Sequence, residues 1–344
     1  MGHALRDDQR AAATVGDRRL PVTYRIPLPE GGRRTSLDIV DPSSSMVQRF
    51  LRREGLGAYE HSTAATLLTL FESGNGSVRL FDVGSNIGLY SHLCCAMTDQ
   101  PVVHAFEPTP TTASIARAIA RANRFDVEVV EAAVSDRNGR ADLHLSQVSD
   151  ASNSLVDGFK PSDEAVSVDV VRLDDHVART GVTPTILKID VETHEPEVLA
   201  GARDTIATHR PWIVVEVLRR RGTDHGPAVE RVLDEIDGYA FFELSSRPDW
   251  VPRDHLRGSG TEDRDWLLAP CELPDDFGRR WDEWSRRLSE CTPDRNPRPS
   301  IMHALRLAHD RGGVAEVVAS ARRALADVDD SRFAALRDRV RRRP

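Results

Sequence analysis

The chain reads as an α/β protein of the Rossmann-like kind, a largely parallel sheet with helices on both faces. Three observations predict this. Apolar runs of strand length alternate with amphipathic segments from residue 78 to about residue 270. A glycine turn, Asp82-Val83-Gly84-Ser85-Asn86-Ile87-Gly88, joins the first of these runs to the first helical segment. Residues able to do chemistry recur at the ends of the runs, where open α/β sheets bind their ligands.

The elements follow in order. Residues 1–20 are polar and rich in Ala and Arg, and read as a disordered leader. Val22 to Val40 alternates around Pro27, Pro29 and Gly31-Gly32, which predicts a hairpin. Asp41-Pro42-Ser43 signals a helix start, and a second helix is expected from Ser62 to Phe71. Together these form a lead-in over residues 21–76. Strands are expected at Val78–Val83, Val102–Phe106, Val127–Val130, Thr185–Ile189, Pro211–Val217, Tyr239–Leu244 and Asp265–Ala269. Helices are expected at Asn86–Met97, Thr111–Asn123, Glu195–Thr208 and Pro227–Ile236. Ala141–Leu145 and Ala165–Val171 alternate like strands around a polar stretch, Ser146 to Glu164, that is a candidate lid. The principal domain is thus bounded at 77–270. A helical extension fills 271–344, with Pro293 to Pro299 as a linker and two helices from Ile301 to Val340.

Bulk properties exclude several classes. The 344 residues are 40% hydrophobic and 29% charged, ordinary for a soluble domain. A net charge of −8 argues against nucleic acid as the partner. No apolar stretch has membrane-spanning length, and no signal peptide is visible, so a cytoplasmic protein is expected. Cys94, Cys95, Cys271 and Cys291 form no C-x-x-C pair, and no zinc spacing is present. Trp250, Trp266, Trp281 and Trp284 are either core or an aromatic surface for a small-molecule acceptor.

The glycine turn carries the most information. Gly84 and Gly88 permit a sharp turn and close approach, with Asp82, Ser85 and Asn86 around them, and would expose N–H groups at a helix N-terminus. The spacing is G-x-x-x-G, which departs from the G-x-G-x-x-G dinucleotide fingerprint and argues against a nicotinamide dehydrogenase. The D-x-G-x-N-x-G pattern resembles the cofactor loop of S-adenosylmethionine methyltransferases. Glu107 ends the second strand 19 residues after Gly88, where a carboxylate can accept from both ribose hydroxyls of a nucleoside. After the third strand come Val134, whose backbone suits an adenine pocket, and then Ser135 and Asp136, the latter a partner for the adenine amino group.

Lys188-Ile189-Asp190-Val191-Glu192 ends the fourth strand. Two acids and a lysine beside an apolar strand are costly to bury unless paired or used. Asp190 is expected in the cleft near the transferred methyl, with Glu192 on the same face if the chain stays extended. His194 opens the next helix and is a candidate general base. Glu216 reaches the cleft rim unless it pairs with Arg219 or Arg220. Asp190 or His194 would take the acceptor proton, Glu192 and Glu216 orienting; Mg²⁺ on Asp190 and Glu192 is the competing arrangement.

Taken together, Phe81 to Gly88, Phe106-Glu107-Pro108, Leu187 to Glu195 and Val198-Leu199-Ala200-Gly201-Ala202 resemble the FkbM family of S-adenosylmethionine-dependent methyltransferases. Gly57-Ala58-Tyr59-Glu60 is similar to the family's lead-in, so the resemblance spans roughly residues 55 to 270. It implies a class I methyltransferase fold, a seven-stranded sheet with its last strand antiparallel. It also implies O-methylation of a hydroxyl on a sugar or polyketide-type metabolite, with homodimerisation open. One departure stands out: Thr193 occupies the position after D-V-E where the family usually has glycine. That leaves two other readings, a binding or regulatory protein that has lost catalysis and an N- or carboxyl-methyltransferase.

Overall fold

The computed structural model describes residues 23–41, 44–73, 78–146, 153–156, 164–220, 222–236, 238–260 and 264–291. The expected leader, the linker at 293–299, the helices after Ile301 and most of the Ser146–Glu164 stretch lie outside these residues.

The chain opens with the expected hairpin, β1 (Thr23–Pro27) antiparallel to β2 (Ser36–Val40). Helix α1 (Met46–Glu54) starts from Ser45 rather than Ser43. Ser45 Oγ accepts the Gln48 N–H at 3.0 Å while the Gln48 side chain accepts the Ser45 N–H, a reciprocal cap that Ser43 lacks the spacing to make. A 3₁₀ turn (Leu56–Ala58) leads into α2 (His61–Ser73). Then come β3 (Arg79–Val83), α3 (Leu89–Met97), β4 (Val102–Phe106), α4 (Pro110–Asn123) and β5 (Glu128–Val130). The pair β6 (Ala133–Val134) and β7 (Gly139–Leu145) precedes β8 (Glu164–Val171), α5 (Leu173–Thr180) and β9 (Ile186–Ile189). The expected single helix at Glu195–Thr208 is two, α6 (Glu195–Gly201) and α7 (Arg203–His209). The break falls where Gly201 packs on the Ser135 carbonyl; a Cβ at 201 would stand 2.0 Å from that oxygen. The chain continues through β10 (Trp212–Glu216), β11 (Arg219–Arg220), β12 (Thr223–Asp224), α8 (Gly226–Leu233), β13 (Ala240–Glu243), β14 (Asp265–Ala269) and α9 (Phe277–Ser289).

Seven strands form one sheet in the order β13-β14-β10-β9-β3-β4-β5. All neighbours are parallel except β14, which runs antiparallel to both β10 and β13. This is the class I methyltransferase topology, last strand antiparallel included. A separate sheet of β6, β8 and β7 absorbs the two alternating segments.

Strand alternation sorts the core onto two faces. Leu80, Ile186, Val214 and Leu267 pack with α1, α2, α3 and α9 residues such as Leu51, Leu67, Leu93 and Trp281. Phe81, Val83, Leu187, Ile189, Ile213 and Val215 pack under α5 to α8. Counting in twos from the first set puts Asp82, Lys188, Asp190, Glu216 and Asp265 on that same first face, at one end of the sheet. The functional cluster is thus a consequence of register.

Helix α9 is core. Trp281 Nε1 donates to Thr66 Oγ1 at 3.0 Å and Trp284 Nε1 to Glu72 Oε2 at 2.9 Å, both on α2. Trp266, Trp281 and Trp284 are buried and hold the fold, while the half-buried Trp250 stacks edge-on against Phe277. Among the described residues no helix is long and apolar enough to cross a membrane. Truncation of Trp281 to Ala should cost about 3–5 kcal/mol of stability. The exposed Val251 changed to Ala should stay within about 0.5 kcal/mol. Urea midpoints of the two variants check this.

Candidate functional site

Each glycine of the turn answers to a specific neighbour. Gly84 sits at φ 75°, and a Cβ there would fall 1.8 Å from the Asp190 carbonyl oxygen. Its backbone presses on the chain leaving β9. Gly88, at φ 74°, caps α3, which is why the helix begins at Leu89 and not at Asn86. The turn's own N–H groups are satisfied: Gly84 and Ser85 donate to Phe106 O at 3.0 Å, Asn86 to Glu107 Oε2 at 3.0 Å, Ile87 to Asn86 Oδ1 at 2.9 Å and Gly88 to Ser85 O at 2.8 Å. The N–H groups of the turn itself, residues 84–88, are thus bonded within the protein, ahead of the first turn of α3. The turn is pre-formed, and Gly84 is required by the strand beside it.

Asp82 lies fully buried beneath the turn. Its Oδ2 accepts from the Ser91 N–H at 3.1 Å and from Ser91 Oγ at 2.7 Å, while Oδ1 has no partner. Ser85 Oγ is likewise buried without a partner. Glu107 ties the turn to β4: Oε2 takes the Asn86 N–H and Oε1 the Thr109 N–H at 2.8 Å. Burial outweighs these bonds and lifts the Glu107 carboxyl to about 7.

Past β6, Val134 and Ser135 are buried and Asp136 is exposed. Ser135 Oγ donates to Asp136 Oδ1 at 3.1 Å and stands 2.9 Å from His194 Nε2. His194 Nδ1 is 3.5 Å from Glu197, and burial lowers the ring's pKa. The charged groups that bear on His194 are Glu197, Asp136 and Arg137. The structure therefore groups His194 with Ser135 and Asp136, and not with Asp190.

Around Asp190 the arrangement is ionic. Lys188, buried on β9, holds Asp190 Oδ2 at 2.8 Å, and its ammonium lies 5.3 Å over the Tyr90 ring. Burial opposes ionisation of Asp190, but the Lys188 charge and hydrogen bond outweigh it and keep the carboxyl below its ordinary range. Glu216 pairs with Arg264 at 2.7 Å, not with Arg219, which turns to Asp224. Its Oε2 is buried without a partner, and burial and the nearby Asp190 push its carboxyl well up. Tyr90 Oη donates to Glu60 Oε2 at 2.7 Å. Glu60, Tyr90, Arg264 and Asp265 were not among the residues the sequence singled out for the site. The signals that could have found them are an acid at the start of α2 and the in-phase position of Asp265 on β14.

The chain does not stay extended after Asp190. Glu192 and Thr193 have φ of 55° and 80°, two consecutive left-handed residues. Glu192 thus leaves the strand face, although its charge still acts on Glu216. Thr193 shows why glycine suits this position: a β-branched residue there stores about 1–3 kcal/mol of strain. Glu195 Oε1 holds the bend, accepting the Thr193 N–H at 3.1 Å and the Val191 N–H at 3.3 Å, and Ser154 Oγ donates to the Glu192 carbonyl at 2.9 Å. A divalent cation across Asp190 and Glu192 does not fit these residues. Asp190 Oδ2 already faces an ammonium, the chain turns at Glu192, and no group of three or more His, Cys, Asp or Glu side chains among the described residues has metal-binding geometry.

Burial raises Glu195 to about 8. The folded state therefore binds its proton more tightly than the unfolded chain does. The associated stability is full below the unfolded value near 4.5 and is lost as pH rises through about 8, at up to about 1.4 kcal/mol per unit. Glu195→Gln should flatten that decline, read as urea midpoints at pH 5 and pH 8.5.

Known proteins resemble this chain in sequence. The model of the methyltransferase FkbM domain matches residues 82–242. The 31-O-demethyl-FK506 methyltransferase FkbM of Streptomyces tacrolimicus is 32% identical over 173 residues, 40% of this chain and 64% of that protein. The 2-O-methyltransferase NoeI of Sinorhizobium fredii is 28% identical over 147 residues, covering 38% of this chain and 60% of its own. The hexuronic acid methyltransferase AglP of Haloferax volcanii is 28% identical over 150 residues, 43% and 59%. The chain thus spans between 59% and 64% of the length of these relatives. A solved FkbM methyltransferase from Methylobacillus flagellatus aligns at 17% identity and TM-score 0.38, over 56% of this chain and 43% of that one. At that similarity the fold assignment rests on the strand order itself. Residues 82–242 of the chain are thus similar to the FkbM domain of methyltransferases.

Proposed function

We propose that this chain transfers a methyl group from S-adenosylmethionine to a hydroxyl oxygen of a small polyhydroxylated metabolite, of sugar or polyketide type. The observation that carries the reading is the continuity of one surface: the glycine turn touches Asp190 through Gly84 and Glu107 through Asn86. Nucleoside and reacting carbon would then be held by a single pre-formed turn. The residues fit the cofactor. Each Glu107 oxygen accepts one backbone N–H and retains acceptor capacity for a ribose hydroxyl. Val134, Ser135 and Asp136 suit the adenine, and the acidic surroundings of Asp190 suit a cation. Bound there, S-adenosylmethionine would supply an electrophilic methyl.

This chain's residues do the rest. Lys188 holds Oδ2 and, with a hydrogen bond from Glu216, keeps Asp190 ionised, so that the carboxylate can accept the acceptor's hydroxyl and aim its oxygen. Aligning oxygen and methyl carbon can supply about 7–11 kcal/mol of the barrier. Glu216, pinned by Arg264, backs Asp190. His194, grouped with Ser135, would act on the nucleoside side rather than as the base. The acceptor class draws support from relatives described as 2-O-, 31-O-demethyl-FK506 and hexuronic acid methyltransferases. Loss of catalysis through Thr193 is disfavoured, because the threonine adopts the left-handed conformation a glycine would.

Calorimetric titration tests the cofactor half. Both S-adenosylmethionine and S-adenosylhomocysteine should bind, and Glu107→Gln should weaken both about tenfold or more. Because ribose hydroxyls favour the ionised carboxylate, homocysteine-form affinity should rise with pH up to about 7 and level off above. In Glu107→Gln it should be flat. Folded protein that binds neither nucleoside would sink the reading. Labelled-methyl assays on hexoses, hexuronic acids and macrolide alcohols test the acceptor half. There Asp190→Asn should lower turnover about 10²–10⁴-fold, with no effect of EDTA.

A further inference from the structure

The polar groups around Asp190 come from six places in the fold. Tyr59 and Glu60 lie just before α2, Asp82 on β3, Tyr90 on α3, Lys188 and Asp190 at the end of β9, Glu216 at the end of β10, and Arg264 and Asp265 at the start of β14. Glu192 bears on Glu216 from the loop. Five carboxyls, those of Glu60, Asp82, Asp190, Glu216 and Asp265, thus face two fixed cations, Lys188 and Arg264. Asp190 pairs with Lys188 and Glu216 with Arg264. Two oxygens remain buried with no hydrogen-bond partner, Asp82 Oδ1 and Glu216 Oε2. Such an excess of acceptors is stable only with extra protons or an added cation.

Glu60 is held by two phenols, Tyr90 and Tyr59, while the charges of Lys188 and Arg264 act on it without a direct bond. Its backbone is held at φ 39°, a strained value that concentrates at functional sites. It is half-buried. Glu60, Arg264 and Asp265 also lie outside the residues matched by the family domain, 82–242.

We propose that this cluster exchanges a proton for the sulfonium charge, with Glu60 as the carboxyl that governs the exchange. The proposal rests on the methyl-transfer reading above. With the cationic cofactor bound, the carboxyls are ionised and the sulfonium supplies the missing positive charge. As the hydroxyl oxygen bonds to the methyl carbon, the carbon–sulfur bond breaks, its electron pair stays on sulfur, and the O–H proton passes to the cluster. The site's total charge is the same before and after. The neutral thioether product then faces a protonated cluster with no residual attraction for it, which favours its release. Burial raises Glu60, with Asp190 adding to the effect, and lifts the neighbouring Asp265 to about 7, so the cluster holds protons that free carboxyls would already have lost. Reciprocity requires that removing protons strengthen binding of the cation by the same factor.

The test needs no acceptor. S-adenosylmethionine and S-adenosylhomocysteine are titrated into the full chain by calorimetry at pH 7, in phosphate and in Tris, and from pH 5.5 to 8.5. Any proton that Glu107 releases is common to both ligands and cancels in the comparison. The sulfonium form should release more protons, by up to about one. Its affinity relative to the thioether should rise with pH, up to about tenfold per unit, and level off once the cluster is fully ionised. Glu60→Gln, whose amide oxygen still accepts from Tyr90, should shrink both differences while thioether binding stays within about twofold. Equal proton release and a pH-independent ratio in the wild type would overturn the exchange. Undiminished differences in Glu60→Gln would overturn the role of Glu60. Absence of binding by either ligand would remove the functional reading and this inference with it.

Discussion

The buried ammonium of Lys188 is the constraint around which the site is organised. It sits on β9, between β3 and β10 in the sheet, where water cannot reach it. An unpaired charge there would cost several kcal/mol. The fold answers with carboxyls from every direction: Asp190 along its own strand, Asp82 directly across on β3, and Glu60 through the Tyr90 ring the ammonium overlies. Having over-answered, the fold needs Arg264 to hold Glu216 and still leaves carboxyl oxygens unpartnered. The acidity that suits a cationic cofactor is therefore the surplus left after one lysine has been neutralised.

That surplus is assembled across the whole chain. The matched domain begins at Asp82 and ends at Phe242, yet Glu60 precedes it and Arg264 and Asp265 follow it. Glu60 stands at the start of α2, where its carbonyl accepts the Ala64 N–H. Helix α2 is clamped by α9 through Thr66–Trp281 and Glu72–Trp284. A helix after the last strand thus fixes where a carboxylate before the first sheet strand meets the cleft. The terminal segments complete the site by packing, which explains why the tryptophans belong to the core.

Much of this was legible because it is local. Val102–Phe106 and Asp265–Ala269 were bounded correctly from apolar runs between breakers, and the period of two put Asp190 and Glu216 at the cleft. What the local pattern could not show was whatever depends on a partner far along the chain. Gly84 reads as a turn glycine, but its neighbour, the Asp190 carbonyl, lies more than a hundred residues on. His194 reads as a titratable group, but its contact with Ser135 is invisible in the sequence. Glu60 offers only the weak signal of an acid before α2, and Arg264 none; about two hundred residues separate them, and only the fold brings both to bear on the same carboxyl cluster.

Thr193 shows the same logic inverted, a local preference overruled by context. Threonine resists φ 80°, so on propensity the chain should straighten after Asp190. It does not, because Glu195 accepts two N–H groups across the bend and Ser154 grips the Glu192 carbonyl. Glu195 can do so while buried because it is protonated below about pH 8, sparing the bend a second buried charge. A glycine would make the turn easy; here the turn is imposed from outside, and the residue follows. Sites where sequence and conformation disagree are where the surrounding structure must be stiffest. This bend adjoins Asp190, the group proposed to aim the acceptor.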